Sequence, residues 1–422
     1  MDSNKIITSI NSEIGRLEGV IIHSPGSEVE NMTPDSVQKA LYSDILNLEV
    51  ATHEYNQFKG VLEKYTQIYQ VRELLNEVLQ NEKVKVGLIH SICDYERVDR
   101  TNITDMLLNM DSDSLTTALV EGIELKRDNL SKYLSKDRFD LEPLHNFFFT
   151  RDASIAVGDK VFISKMASRV REREAQIMEA IFDYHPDFVT QTVSTMSSRH
   201  LCKEFSFEGG DFLVAREDIL IIGTGLRTSP KGIDFIIDYY KEIGETKHLI
   251  VQELPYEPES FIHLDMVFTF VDRDLCMIYE PLILHSSRYL TIHITISNGK
   301  VSIHEEESIP DALHKLGMDI KTINCGGSKD IVTQEREQWH SGANFFALEP
   351  GKIMGYGRNI HTIEELSQQG FDVIRAKDII NGKDVIDAHD KCVITIEGSE
   401  LSRGGGGCRC MTMPVSRAKI DW

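Results

Sequence analysis

From about residue 145 onward, short apolar runs alternate with amphipathic stretches. The runs are KVFISK, FLVA, ILIIGTG, HLIVQELP, MVFTFVDRDLCMIY, LTIHITI, KIMGYG, FDVIRA and CVITIEG. Most have the length of a strand, and turn residues bound them. Between them RVREREAQIMEAIFDYH, GIDFIIDYYKEIG, IPDALHKLG and HTIEELSQQG carry apolar residues at helical spacing. Such alternation predicts an α/β architecture of small β-rich modules. The first third reads differently. RLEGVIIHSP, residues 16–25, is a short buried strand closed by a Pro-Gly turn. From TPDSVQKALYSDI the pattern turns helical, with Thr33 or Asp35 as cap and Pro34 in the first turn. Phe58, Val61, Leu62, Tyr65 and Ile68 recur at helical spacing, as do Val71, Leu74, Leu75, Val78 and Leu79. After a strand-like VKVGLI, residues 96–140 are helical again in ITDMLLNM, DSLTTALVEGIEL and LSKYLSK. Residues 72–142 are thus read as a helical insertion in a single domain spanning 1–422.

Composition narrows the function more than the fold. The formal net charge of −22 disfavours nucleic acid, whose phosphates need a basic face. It permits a cationic substrate. The N-terminus has no apolar core of a secretory signal, and no run approaches the ~20 apolar residues of a membrane span. Seven cysteines, with no CxxC pair, fit a reducing cytoplasm and argue against structural zinc. No cofactor motif is visible.

Five stretches carry candidate chemistry. NFFFTRDASIAV sets Arg151 and Asp152 between apolar runs, as a buried ion pair or a functional group. FSFEGGDFLVARED holds Glu208 and Asp211 around a Gly-Gly turn that leads into a strand. GLRTSPKG puts Arg227 after a buried strand, where a guanidinium can grip a carboxylate. In ESFIHLDMVF, His263 and Asp265 lie two apart, which on a strand shares one face. Acid–base work, half a metal site or a satisfied polar pair would each explain them. RGGGGCRCMTMP ends the series: a glycine-rich loop running into Cys408 and Cys410.

A hard carboxylate set with one thiolate suits no common metal well, and nucleophilic catalysis fits better. Cysteine enzymes acting on acyl groups want hydrogen-bond donors around the oxyanion, not carboxylates. A carboxylate-lined pocket wants a cationic electrophile, and guanidinium is planar, permanently charged and matched to paired carboxylates.

In these motifs the chain resembles the arginine deiminases of the guanidino-group-modifying superfamily. The resemblance runs from EIGRLEGVIIHSPG through LYSDIL, FFFTRDASI, RVREREA, FEGGDFLV, GTGLRTS and FIHLDMVF to CMTMP. It implies a pentein-like α/β fold, five ββαβ modules about a pseudo-fivefold axis with a helical insertion. It implies Cys410 as nucleophile, His263 as proton carrier, and Glu208, Asp152 and Asp265 as the carboxylates, with Asn146 and Phe149 near the substrate. Arg171 and Arg227 resemble the arginines that hold the substrate carboxylate. Many members carry another arginine in the glycine-rich loop, where this chain has Gly405; Arg403 or Arg409 is the substitute expected here. Met266 and Ala175 also depart from the usual Thr, and RVRERE leaves Arg171 and Arg173 as alternatives. The implied activity is hydrolysis of free L-arginine to citrulline and ammonia through an amidino-cysteine, without cofactor or metal, in a homo-oligomer. Agmatine or peptidyl-arginine deimination, amidino transfer and non-catalytic arginine binding are the alternatives.

Overall fold

The computed structural model describes residues 5–34, 44–96, 102–194, 205–285 and 288–422. One arrangement recurs five times: an antiparallel strand pair, a helix, and a strand parallel to the second of the pair. The first unit joins the two ends of the chain. Met413–Arg417 lies antiparallel to Leu17–Ile22, helix Leu48–Tyr65 follows, and Gln67–Gln70 returns parallel. The second has Ser154–Val157, Lys160–Ile163, helix Glu172–Tyr184 and Gln191–Ser194. The third has Phe212–Arg216, Ile219–Thr224, helix Pro230–Ile243 and Lys247–Glu253. The fourth has Phe268–Asp272, Leu275–Ile278, helix Ile309–Lys315 and Lys321–Asn324. The fifth has Phe346–Glu349, Lys352–Tyr356, helix Ile360–Gln368 and Cys392–Ile396.

The units touch in order. Met413–Arg417 packs on Ser154–Val157, and the turn before Phe212–Arg216 packs on the turn before Phe268–Asp272. Gly209 N donates to Asp152 O between the second and third units. Phe346–Glu349 contacts both Phe268–Asp272 and Leu17–Ile22, so the fifth unit meets the first and the ring closes. This is the five-module architecture that the resemblance implies.

The sequence explains each unit locally. Ile219, Leu220, Ile221 and Ile222 are all buried, as expected of a strand covered on both faces. Helix Pro230–Ile243 is capped by the Ser229 hydroxyl, opens on a proline and ends at Gly244 in the left-handed region. Its Ile233, Ile236, Ile237 and Tyr240 form the buried stripe.

Between the first and second units lie helices Val71–Leu79, Glu82–Glu96, Asn102–Leu108, Ser112–Glu121 and Leu130–Leu134. The apolar faces of the first four join the core of the second and third units, whereas Leu130–Leu134 buries no residue. Two expectations change here. VKVGLI belongs to helix Glu82–Glu96, because Val84, Leu88, Ile89 and Ile92 bury one helical face. Ile68 sits on strand Gln67–Gln70 and not on the preceding helix, which ends at Tyr65. The helix start expected at Asp35 and the first half of LYSDIL, residues 41–43, fall outside the described residues. Among the described residues no helix is long and apolar enough to cross a membrane.

Candidate active site

Each of the five units places polar side chains just ahead of its first strand. Asp152 precedes Ser154–Val157, Glu208 and Asp211 precede Phe212–Arg216, and His263 and Asp265 precede Phe268–Asp272. Asn344 precedes Phe346–Glu349, and Cys410 precedes Met413–Arg417. Ring closure therefore gathers them. All seven are buried.

His263 and Asp265 are not on a strand. Strand pairing starts only at Phe268, and Leu264–Met266 form a tight 3-10 turn. Asp211 Oδ1 holds that turn by accepting from Leu264 N at 2.9 Å. His263 Nε2 lies 2.9 Å from Glu208 Oε2, and Nδ1 lies 3.7 Å from Asp152 Oδ1. Cys410 Sγ lies 3.7 Å from Asp265 Oδ2. Asn344 Nδ2 lies 3.2 Å from the same sulfur.

Burying so many carboxylates costs several kcal/mol per ion unless each is partnered. The arginines supply the partners. Arg171 Nη1 donates to Asp152 Oδ2 at 2.8 Å, and its other nitrogens grip Glu174 at 2.8 to 3.2 Å. Arg173 points elsewhere, to Glu142 O and Glu96. Arg227 Nη1 donates to Glu208 Oε1 at 3.4 Å, and Ala167 N donates to the same oxygen at 2.9 Å. Arg409 Nη1 donates to Asp265 Oδ2 at 2.8 Å while its other nitrogens hold Glu13 at 3.0 and 3.1 Å. Arg151 and Asp152 do not pair with each other, since Arg151 reaches back to Arg409 O and Thr412 Oγ1. Some capacity is left over. Asp152 Oδ1 and Arg227 Nε and Nη2 are buried with no hydrogen-bond partner among the described residues. Asp211 Oδ2 also lacks one, so the site offers two unmet acceptors and two unmet donor nitrogens.

Burial opposes charge on His263, but Asp152, Glu208 and Asp211 outweigh it and push its pKa up to about 9. Burial would raise Glu208, yet Arg227, His263 and Arg171 hold it well below the usual carboxylate range. Burial first, then Asp265 and Asp152, raise the Cys410 thiol well above its ordinary value. Both shifts favour the protonated form at neutral pH, a thiol at Cys410 and an imidazolium at His263. Asp152, Glu208 and His263 approach closely enough to hold a metal ion, their ligand atoms all within 4.8 Å. Arg171 already engages one oxygen of Asp152, and Arg227 engages Glu208.

The glycine-rich loop shows why it needs glycine. Gly406 passes the ring of Phe149, where a Cβ would meet Phe149 Cε1 at 2.6 Å. Gly405 has φ +81°, so an arginine there would sit in the strained left-handed region. The expected substitutes are engaged elsewhere. Arg403 is exposed and pairs with Asp44 and with Glu400 at 3.2 Å, away from the cluster. Arg409 is locked between Asp265 and Glu13. Asn146 lines a cavity with Arg171, Glu174, His145 and Arg138.

The sequence model of arginine deiminases matches residues 38–417. The chain belongs to the arginine deiminase family. It is 32% identical to an arginine deiminase of Bacillus cereus (strain B4264), over 97% of this chain and 98% of that one. It is 33% identical to one from Borrelia garinii subsp. bavariensis, over 98% of each. Solved structures share the fold at low identity. The product-bound N-terminal domain of ArgZ, a cyanobacterial arginine dihydrolase, superposes with TM-score 0.52 at 14% identity, covering 94% of this chain and 97% of that one. The amidinotransferase SxtG of Microseira wollei gives 0.53 at 13%, covering 98% of each.

Sequence reasoning missed Asn344 and Glu13. Both precede apolar strands, as the residues it did single out do. Asn344 stands alone in SGANFF, without the neighbouring charge that marked TRD, EGGD and HLD.

Proposed function

We propose that the protein hydrolyses free L-arginine to L-citrulline and ammonia through a covalent amidino-cysteine. One observation carries the reading. A buried thiol lies beside Asp265 while Asp152 presents an oxygen without a hydrogen-bond partner among the described residues, a setting suited to one planar cation. Arg227 supports a substrate that also carries a carboxylate, because two of its nitrogens lack partners. Asp152 and Asp265 bind the guanidinium nitrogens, with Asn146 and Phe149 beside the chain of the substrate and Arg171 and Arg227 toward its carboxylate. Arrival of the cation offsets the carboxylates and lets the Cys410 proton pass to solvent. The thiolate adds to the guanidinium carbon. His263, cationic at rest, gives its proton to the departing ammonia. Neutral His263 then takes a proton from water, whose oxygen adds to the amidino carbon. Collapse breaks the C–S bond and releases citrulline. Glu208 keeps His263 oriented throughout. The unpaired buried cysteines support a reducing cytoplasm as the compartment. A homo-oligomer belongs to the same reading.

Incubation with L-arginine tests this. Ammonia and citrulline in equal amounts are expected; amidino transfer to an added amine, or turnover of agmatine in preference to arginine, overturns it. A thiolate absorbance titration gives a second expected result. Without ligand the Cys410 thiolate forms only well above neutral pH, and a bound guanidinium analogue lowers the midpoint. Equal low midpoints with and without the analogue would contradict the proposed activation.

A further inference from the structure

Asn344 is the polar residue of the fifth unit, at the place where the other four present Asp152, Glu208, His263 with Asp265, and Cys410. Its side chain is 1% exposed and bridges two of those loops. Oδ1 accepts from Arg409 N at 2.9 Å and from Cys410 N at 3.3 Å. Backbone N–H groups only donate, so the amide has one permitted orientation. Nδ2 therefore carries the hydrogens that face Asp265 O at 3.0 Å and Cys410 Sγ at 3.2 Å. Gly407 packs so closely that a Cβ there would meet Asn344 Oδ1 at 2.6 Å, which fixes the loop against the amide.

We propose that Asn344 is a further catalytic residue, donating a hydrogen bond from Nδ2 to the Cys410 sulfur as that sulfur gains charge. The inference rests on the reading of Cys410 as nucleophile. The sulfur faces carboxylates, and Asp265 and Asp152 both oppose its ionisation. A neutral donor at 3.2 Å counters them without adding a cation that would repel the substrate. The contact serves twice. It stabilises the thiolate that attacks, and it stabilises the same sulfur when the amidino group leaves with water's oxygen. By gripping the N–H of Cys410 with its oxygen, the same amide also aims the sulfur.

The experiment compares wild type with Asn344→Asp, nearly the same size but without the donor, and with Asn344→Ala. It reads the rate of Cys410 alkylation by iodoacetamide against pH, and kcat and KM for arginine. In both variants the alkylation midpoint is expected to rise by about one pH unit or more, and kcat to fall about 10- to 100-fold with KM changed less. An unmoved midpoint in a folded variant overturns the proposal, even where the melting temperature drops, because a purely structural role would lower stability alone. Asn344→Asp keeps the test decisive where Asn344→Ala fails to fold. A wild type that makes no citrulline refutes the proposed reaction, and the alkylation profile still reads the Asn344 contact.

Discussion

Cys410→Ser is expected to lower arginine turnover by at least about four orders of magnitude, while Cys408→Ser keeps most of it. The two sulfurs are one residue apart, and both are buried, so burial does not separate them. Their neighbours do. The Cys408 thiol is raised by burial alone, with no charged group contributing among the described residues. Cys410 lies 3.7 Å from Asp265 and 3.2 Å from Asn344 Nδ2. Arg409 between them anchors the turn to Asp265 and Glu13, so the loop cannot exchange one sulfur for the other without breaking buried ion pairs. A serine hydroxyl at 410 is far harder to ionise than a thiol, and the surrounding carboxylates make it harder still. Steady-state citrulline formation checks the rates, and thermal melting checks that both variants fold. Cys410→Ser should still bind arginine, since Asp152, Asp265 and Arg227 remain. Retained turnover in Cys410→Ser, or its loss in Cys408→Ser, would move the nucleophile.

Much of this was legible because strand period and turn chemistry are local signals. The runs ILIIGTG and CVITIEG are strands, and the Gly-Gly turn of EGGD delivers Glu208 and Asp211 as the sequence suggests. VKVGLI misled because a short apolar run carries no period of its own; its neighbours on helix Glu82–Glu96 decide it. HLDMVF misled for a related reason. Alternation was read as a strand, but Asp211 caps the Leu264 N–H and closes a turn there, a contact between residues 53 apart. Pairing of charges was the least legible part. Arg171 meets both Asp152 and a near neighbour, Glu174, whereas Arg409 meets Glu13 across 396 positions. Spacing does not encode such partners; ring closure does, by bringing the chain's two ends into the first unit. Asn344 was invisible for the same reason, since its value comes from Cys410 and Asp265, which the fold alone brings near.

The second large effect concerns the His263–Glu208 pair. His263→Ala is expected to lower kcat by about 10²- to 10⁴-fold, the usual span for losing a general acid and base. Glu208→Gln should cost nearly as much, because it leaves the ring without the partner 2.9 Å from Nε2 and leaves Arg227 uncompensated. The pH dependence separates this electrostatic role from simple misfolding. His263 has a folded pKa of about 9 against an ordinary value of 6.5. Between those values the folded protein holds a proton that the unfolded chain has released, so stability falls as pH rises. The contribution is fully present below about 6.5, amounts to about 3 kcal/mol, and is lost as pH passes through about 9. Glu208→Gln removes one of the groups that raise the His263 pKa, so the variant should lose less stability than wild type over that interval. Melting temperatures measured from about pH 6 to pH 10 should therefore converge as pH rises. A gap that stayed constant would mean that Glu208 stabilises the fold through Arg227 and Ala167 alone, and that His263 is not held as a cation. A histidine titration by NMR gives the same answer directly: a wild-type midpoint near 9 that falls in Glu208→Gln supports the imidazolium as the acid that releases ammonia.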